Sequence, residues 1–189
     1  MLSYKLKSYT DKIFTPLIEY LYSKKIKSNT LTLISFIFSL LALINFFRGM
    51  ILTGFVFALL DYLLDLLDGP LSRRQEGMNK DFGFFWDFIT DHVTRNLWVF
   101  ALAYSNNISY FLASLSILSY FILLTICYIP YLTKMKYLEW LPCWTGWILL
   151  IGLVTPYLTE ILYFMVYLNL SLALIHFSYI LYTYRKELI

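Results

Sequence analysis

Residues 61–91 read DYLLDLLDGPLSRRQEGMNKDFGFFWDFITD and place six aspartates between long apolar segments. These aspartates are half of the 12 acidic residues of a 189-residue chain that is 60% hydrophobic and only 14% charged. Soluble domains carry about 25% charged residues. The composition therefore indicates a membrane protein, and this concentration of aspartates requires a specific explanation.

The apolar segments define the predicted architecture. A transmembrane helix needs about 20 mainly apolar residues. Segments of this kind lie between polar or Pro/Gly breaks at residues 29–48, 51–71, 82–105, 108–131, 142–158 and 160–183. The sequence thus predicts an all-α integral membrane protein with six transmembrane helices, and no sizeable soluble domain remains.

The distribution of Lys and Arg predicts the orientation in the membrane. Of these 15 residues, all but Arg48 and Arg95 fall on one side of the six-helix arrangement. Because basic loops stay in the cytoplasm, we expect both termini and the loop within residues 61–91 to be cytoplasmic. The basic edges suit anionic lipid headgroups, whereas a nucleic-acid partner would need a clustered basic face. Cys127 and Cys143 are isolated and are interpreted as packing residues.

Residues 1–28 precede the first predicted span and mix lysines with apolar residues three or four positions apart. This spacing predicts an amphipathic helix on the cytoplasmic interface, and the alternative is a disordered basic lead-in. The predicted organisation is therefore an interfacial segment, 1–28, followed by one six-helix membrane domain, 29–189. The apolar face of the segment comprises Leu6, Ile13, Phe14, Leu17, Ile18, Leu21 and Tyr22.

Four of the aspartates form two pairs. Asp65 and Asp68 are three residues apart and Asp87 and Asp91 are four apart, so each pair shares one face of its helix. An ionised Asp near a helix centre costs about 2.5–3.5 kcal/mol in lipid, so these faces must meet in a polar pocket. All-oxygen ligands favour Mg²⁺, Mn²⁺ or Ca²⁺ over zinc or iron. Two such cations would offset the charge and serve phosphoryl chemistry.

Small residues accompany the aspartates. Gly69 follows Asp68, Gly83 precedes Asp87 by one turn, and both leave space for a bulky polar substrate to approach the backbone. Ser72 is small and leaves space in the same way. The planar guanidinium of Arg73 can bind a phosphate at the edge of the pocket.

Two further charged residues have open interpretations. Asp61 shares the face of Asp65 and either supports a metal ligand or is a polar residue buried against another helix. Arg95 continues the stripe of Asp87 and Asp91 inside an apolar segment. It either binds a phosphate group of a substrate or forms an ion pair with Asp91 or a neighbour.

The motif DLLDGPLSR, nine residues, then GFFWDFITD resembles the signature of the CDP-alcohol phosphotransferase family, D-x-x-D-G-x-x-A-R followed by G-x-x-x-D-x-x-x-D. Ser72 stands where the family usually has Ala. The segment KKIKSNTLTLISF resembles the family's lead-in to its first membrane helix, with Ser28 in place of Pro. Beyond Arg95 the resemblance rests on hydropathy.

The resemblance implies a six-helix membrane enzyme of phospholipid biosynthesis, often a homodimer, with two divalent cations. Such an enzyme moves a substituted phosphoryl group from a CDP-linked donor to an alcohol, such as inositol phosphate or glycerol phosphate, and releases CMP. Asp91 would be the general base. The metal ligands would be Asp65, Asp68, Asp87 and Asp91, and the CDP-binding residues Asp65, Gly69, Ser72, Arg73 and Gly83.

Two other interpretations use the same residues. A cation-coupled transporter could bind ions through these carboxylates, but they all lie in one loop-linked helix pair, without the inverted repeat expected of a transporter. A structural membrane scaffold would keep the motif without activity, and it predicts no metal-dependent nucleotide binding.

Overall fold

The structure is a computed structural model that describes residues 4–75, 89–133 and 145–187. The described residues are all-helical, as the sequence predicts, and the chain divides into two compact units, Lys5–Asn107 and Ile108–Ile189. The elements are α1 (Tyr4–Ser23), α2 (Ser28–Phe47), α3 (Ile51–Arg74), a π-helical segment (Ile89–Thr94), α4 (Arg95–Tyr104), α5 (Tyr110–Thr133), α6 (Thr145–Leu153) and α7 (Leu158–Glu187).

Helices α2 and α3 form an antiparallel pair around a tight turn. Gly49 takes the left-handed conformation there, with φ +72°, which lets the chain reverse within three residues. Gly54 lies one turn into α3 against the fully buried ring of Phe46. A Cβ at Gly54 would clash with that ring, so the absence of a side chain sets how closely the two helices pack.

Trp98 fixes α4 against this pair. Its side chain is fully buried, and the indole nitrogen donates a hydrogen bond to the carbonyl of Ser39 in α2 at 2.9 Å. Its ring meets the rings of Phe46 and Tyr62 edge-on, with centroids 5.9 and 6.2 Å apart. A buried indole whose N–H is satisfied orients its helix well. Arg95, one turn earlier, is thereby directed toward α3.

Helix α1 packs one side onto the same unit. Ile18 is buried against Leu31 of α2 and Leu67 and Leu71 of α3, with Phe14 and Leu21 beside it. The other side carries exposed Ile13, Leu17 and Tyr22. A helix therefore exists where the interfacial segment is predicted. Part of its apolar face serves the protein core, and its contact with a membrane surface stays a prediction.

The C-terminal unit consists of α5, α6 and α7. Gly152 of α6 lies close to Leu158 and Ile161 of α7, where a Cβ would approach both side chains to 3.1 Å. Helix α6 ends at Leu153, five residues before the predicted limit of the fifth span, because the chain turns before α7 at a segment containing Pro156. Between α5 and α7, buried Asn169 donates to the hydroxyl of Ser119 at 3.2 Å.

Three helices in the described part of the chain are long and apolar enough to cross a membrane, at Ser28–Phe47, Tyr110–Cys127 and Leu158–Arg185. Helix α3, with 24 residues, has the length, but three aspartates interrupt its apolar character. It also continues through Pro70 to Arg74, although a proline within a helix is expected to bend or end it. The predicted spans 82–105 and 142–158 lie partly outside the described residues.

The packing at Gly54 gives the first prediction. Gly→Ala inside a helix normally stabilises it by about 1 kcal/mol. Gly54→Ala should instead destabilise the protein by about 1–3 kcal/mol, because Phe46 has no space into which to shift. Thermal unfolding of the detergent-solubilised protein measures the effect.

The matched control is Gly69→Ala in the same helix, where the closest described neighbour of a Cβ is Arg73 Nη1 at 3.5 Å, an ordinary contact. This variant should unfold at or above the wild-type temperature. If the two variants shift the unfolding temperature equally, the packing explanation is wrong.

Candidate active site

Helix α3 supplies three carboxylates on one face. Asp61, Asp65 and Asp68 follow each other at spacings of four and three, so successive turns direct them the same way. Asp61 is completely buried, Asp68 is 7% exposed, and the side chain of Asp65 is 30% exposed. The middle carboxylate, Asp65, is therefore the most accessible of the three.

Arg95 draws carboxylates from both halves of the motif together. Its guanidinium lies 3.3 Å from Asp61 Oδ2 through Nε, 3.5 Å from Asp65 Oδ2 through Nη2, and 2.7 Å from Asp91 Oδ1 through Nη1. The arginine side chain is only 12% exposed. The ion pair with Asp91, one of the two predicted interpretations of Arg95, is thus present.

An aromatic ring completes the surroundings of the guanidinium. Arg95 Cζ lies 3.8 Å from the centre of the Tyr62 ring, within cation–π range. Tyr62 is itself buried and held edge-on by Trp98. With carboxylates at its edges and a ring on one face, the guanidinium has a defined position although it lies inside the protein.

The π-helical geometry of Ile89–Thr94 sets the direction of Asp91. This segment leads directly into α4, and the Thr94 hydroxyl donates to the carbonyl of Ile89, five residues earlier, at 3.2 Å. A π-turn adds a residue per turn and therefore rotates the preceding side chains relative to the α-helix that follows. Such turns occur frequently at functional sites.

Helix α2 supports the aspartates with small hydroxyl residues. Ser35 donates to Asp61 Oδ1, and the Thr32 hydroxyl lies 2.7 Å from Asp68 Oδ2. Together with Ser28 and Ser39, these residues form a buried stripe at spacings of four, three and four. The sequence analysis missed this stripe. Its signal is readable, because hydroxyl residues at helical spacing in an otherwise apolar segment mark one polar face.

The open end of the face is lined by the residues after Asp68. Gly69 and Ser72 are partly exposed and Arg73 is exposed. Gln75 ties this end to the turn before α2, because its side chain accepts from the Ser28 backbone N–H at 3.0 Å and donates to the Ile26 carbonyl at 2.6 Å.

The structure brings some of the predicted site residues together. Asp65 and Asp91 meet around Arg95, Asp61 joins them, and Asp68 is bound to α2 instead. Asp87 and Gly83 lie outside the described residues. Within the described ranges, no three acidic, His or Cys side chains are arranged to hold a metal ion.

The charges of the cluster nevertheless fit a divalent cation. With Asp61, Asp65 and Asp91 ionised, one guanidinium leaves a net charge of −2 at their meeting point. Every donor is a carboxylate oxygen, the ligand type of hard cations. Carboxylates of α3 and of the π-helical segment surround the guanidinium, each at a different nitrogen.

Comparison with known proteins places the chain in a family. The model of the CDP-alcohol phosphatidyltransferase family matches residues 26–182. A search of curated proteins found no match. Among solved structures, the fold is similar to phosphatidylinositol phosphate synthase (PgsA1) of Mycobacterium tuberculosis with CDP-DAG bound. The two share 18% sequence identity at a TM-score of 0.65, over 91% of this chain and 93% of that chain.

The family model covers most of the chain, including the aspartates of α3, the π-helical segment, the first two long apolar helices and most of the third. The described part of the protein has the all-helical fold of that structural relative. The chain therefore belongs to the CDP-alcohol phosphatidyltransferase family and is an integral membrane CDP-alcohol phosphotransferase of phospholipid synthesis.

Proposed function

We propose that the protein transfers a phosphatidyl-type group from a CDP-linked lipid to a small alcohol and releases CMP. The observation that carries this proposal is that Asp65 and Asp91, from the two halves of the family signature, both contact the guanidinium of Arg95. The donor assignment is supported by the CDP-DAG bound to the structural relative.

The carboxylates would hold two divalent cations, Mg²⁺ or Mn²⁺, with Ca²⁺ as a further candidate. The proposed ligands are Asp65, Asp68, Asp87 and Asp91. Bound there, the cations would offset negative charge on the diphosphate and on the departing CMP. Thr32 would orient Asp68 from α2, since ligand carboxylates depend on such hydrogen bonds for their direction.

Asp91 would act as the general base. It takes the proton of the acceptor hydroxyl, whose oxygen attacks the β-phosphorus of the donor, and the bond between that phosphorus and the CMP oxygen breaks. A base must come within about 2.6–3.2 Å of the hydroxyl oxygen, directly or through one water. The Asp91 side chain is 31% exposed, so a small alcohol can approach it.

The cytidine diphosphate would lie along the open end of α3. Asp65, Gly69, Ser72 and Arg73 would contact it, together with Gly83. The space in front of Gly69 supports this, because only Arg73 among the described residues comes near its Cβ position. A phosphate there would meet both the backbone and the Arg73 guanidinium.

The acceptor is proposed to be inositol phosphate, with glycerol phosphate as the next candidate. The structural relative is a phosphatidylinositol phosphate synthase, which favours the first. Arg95 would contact the acceptor phosphate. Because its guanidinium engages Asp61, Asp65 and Asp91, this role requires it to leave at least one of those partners.

We further propose six transmembrane helices, both termini and the active site in the cytoplasm, residues 1–28 at the interface, and a homodimer. Three long apolar helices and the basic edges of the sequence support this topology. The exposed apolar surface of these helices is what a lipid environment would cover.

Asp91→Asn tests the reaction. Purified protein should release CMP from a CDP-linked lipid in a Mg²⁺- or Mn²⁺-dependent manner, and the variant should lose about 10²–10⁴-fold in rate, because it cannot accept the proton. Glu160→Gln, an exposed acid at the start of α7, is the control and should keep the wild-type rate. Cation uptake into liposomes without CMP release would contradict the transferase.

A panel of alcohols tests the acceptor. CMP release should be fastest with inositol phosphate, and Arg95→Gln should raise KM for phosphorylated acceptors by about 10-fold or more, as expected for loss of a charged hydrogen bond. Arg48→Gln, exposed at the α2–α3 turn, should change nothing. An unchanged KM in Arg95→Gln would remove this residue from the acceptor site.

Single cysteines test the topology. In a Cys127→Ala, Cys143→Ala background, Ser23→Cys should react with a membrane-impermeant thiol reagent only from the cytoplasmic side, and Met50→Cys only from the opposite side. Both positions are exposed. Labelling of both from the same side would contradict a span between them.

A further inference from the structure

Arg95 occupies the place that the proposed function gives to a divalent cation. It contacts Asp65 and Asp91, two of the proposed metal ligands, with the shorter contact to Asp91 at 2.7 Å. The contact to Asp65 is looser, at 3.5 Å, and Nη2 has no hydrogen-bond acceptor among the described residues. A divalent cation and this guanidinium therefore need the same carboxylate oxygens.

Asp61 differs from these two partners. It is fully buried, it accepts a hydrogen bond from Ser35 of α2, and it bonds Arg95 through Nε, the nitrogen nearest the side-chain stem. The two Nη atoms, which face Asp65 and Asp91, lie at the far end of the guanidinium. Asp61 can thus hold the stem of Arg95 while the outer nitrogens leave their partners.

The stacked ring supports this division. Tyr62 lies against the guanidinium face and is itself fixed by Trp98. A ring contact holds the planar group without using the carboxylate oxygens. Asp61 and Tyr62 are therefore an anchor, and Asp65 and Asp91 are exchangeable partners.

We propose that Arg95 is a resident cation that competes with divalent metal for Asp65 and Asp91, and that Asp61 is the anchor that retains its charge when metal binds. This inference rests on the proposed metal site and concerns how tightly that site takes its ions. In the empty site the guanidinium keeps the carboxylates together. When metal enters, the anchor offsets the arginine charge beside it.

The competition predicts opposite effects for the two partners. Arg95→Gln removes the competing positive charge and should tighten metal binding about 10-fold or more, because like charges at this distance in a partly buried site repel strongly. Asp61→Asn removes the anchor charge, so that Asp65 and Asp91 alone offset the charge of Arg95. Metal binding should therefore weaken by a similar factor. The double variant, with neither charge, should bind near the wild-type affinity.

The experiment measures Mn²⁺ binding to the purified full-length protein in detergent, without nucleotide or acceptor, from the electron paramagnetic resonance signal of free Mn²⁺. Wild type, Arg95→Gln, Asp61→Asn and the double variant are compared, with Arg48→Gln as a control for loss of an exposed arginine. As a second readout, saturating Mn²⁺ should raise the unfolding temperature more in Arg95→Gln than in wild type.

The outcomes separate this inference from the proposed function. Equal or weaker Mn²⁺ binding by Arg95→Gln, with wild-type binding intact, overturns the competition and makes Arg95 a positioning residue for the carboxylates. Absence of Mn²⁺ binding to the wild-type protein up to millimolar concentration overturns the metal site and the competition together. Tightening in Arg95→Gln with weakening in Asp61→Asn supports both.

Discussion

The buried arginine between three carboxylates is the interaction on which the N-terminal unit depends. Arg95 joins Asp61 and Asp65 of α3 to Asp91 of the π-helical segment. Breaking a buried ion pair by removing one partner costs about 3–5 kcal/mol, because the other charge is left uncompensated. In a hydrophobic chain these charges are tolerable only together, so they define how α3 and α4 face each other.

The other helices of this unit hold the charged cluster in position. The hydroxyl residues Thr32 and Ser35 of the α2 stripe supply hydrogen bonds to the buried carboxylates of Asp68 and Asp61, as buried polar groups require. The tight packing at Gly54 brings α2 close enough for those bonds, and Trp98 fixes the start of α4, where Arg95 lies. The cluster is therefore rigid on the sides of α2 and Tyr62 and more open toward Asp65. The proposed substrate and cations would enter from that direction.

The family and the class of reaction could be predicted from the sequence, and the family assignment is confirmed over residues 26–182. Asp65 and Asp91 both contact Arg95, whereas their roles as metal ligands and as general base stay predictions. The sequence left Asp61 and Arg95 with two interpretations each. Spacing identifies residues on one helix face, but it cannot say which neighbour presents the complementary group. Asp61 is buried against α2, where it accepts a hydrogen bond from Ser35, 26 residues earlier in the chain.

The sequence pattern also predicted the ends of some helices incorrectly. Helix α3 passes through Pro70, and packing of Leu67 and Leu71 against α1 and α2 stabilises the turns on either side of the missing hydrogen bond. The sequence by itself determined the all-helical class, the long apolar helices and the carboxylate face of α3, because helical periodicity and hydropathy are properties of neighbouring residues. Only the tertiary structure decided that an arginine lies among those carboxylates and that α2 holds them by hydroxyl groups. Such contacts depend on the rotation and separation of packed helices, which are set by distant partners such as Gly54 with Phe46 and Trp98 with Ser39.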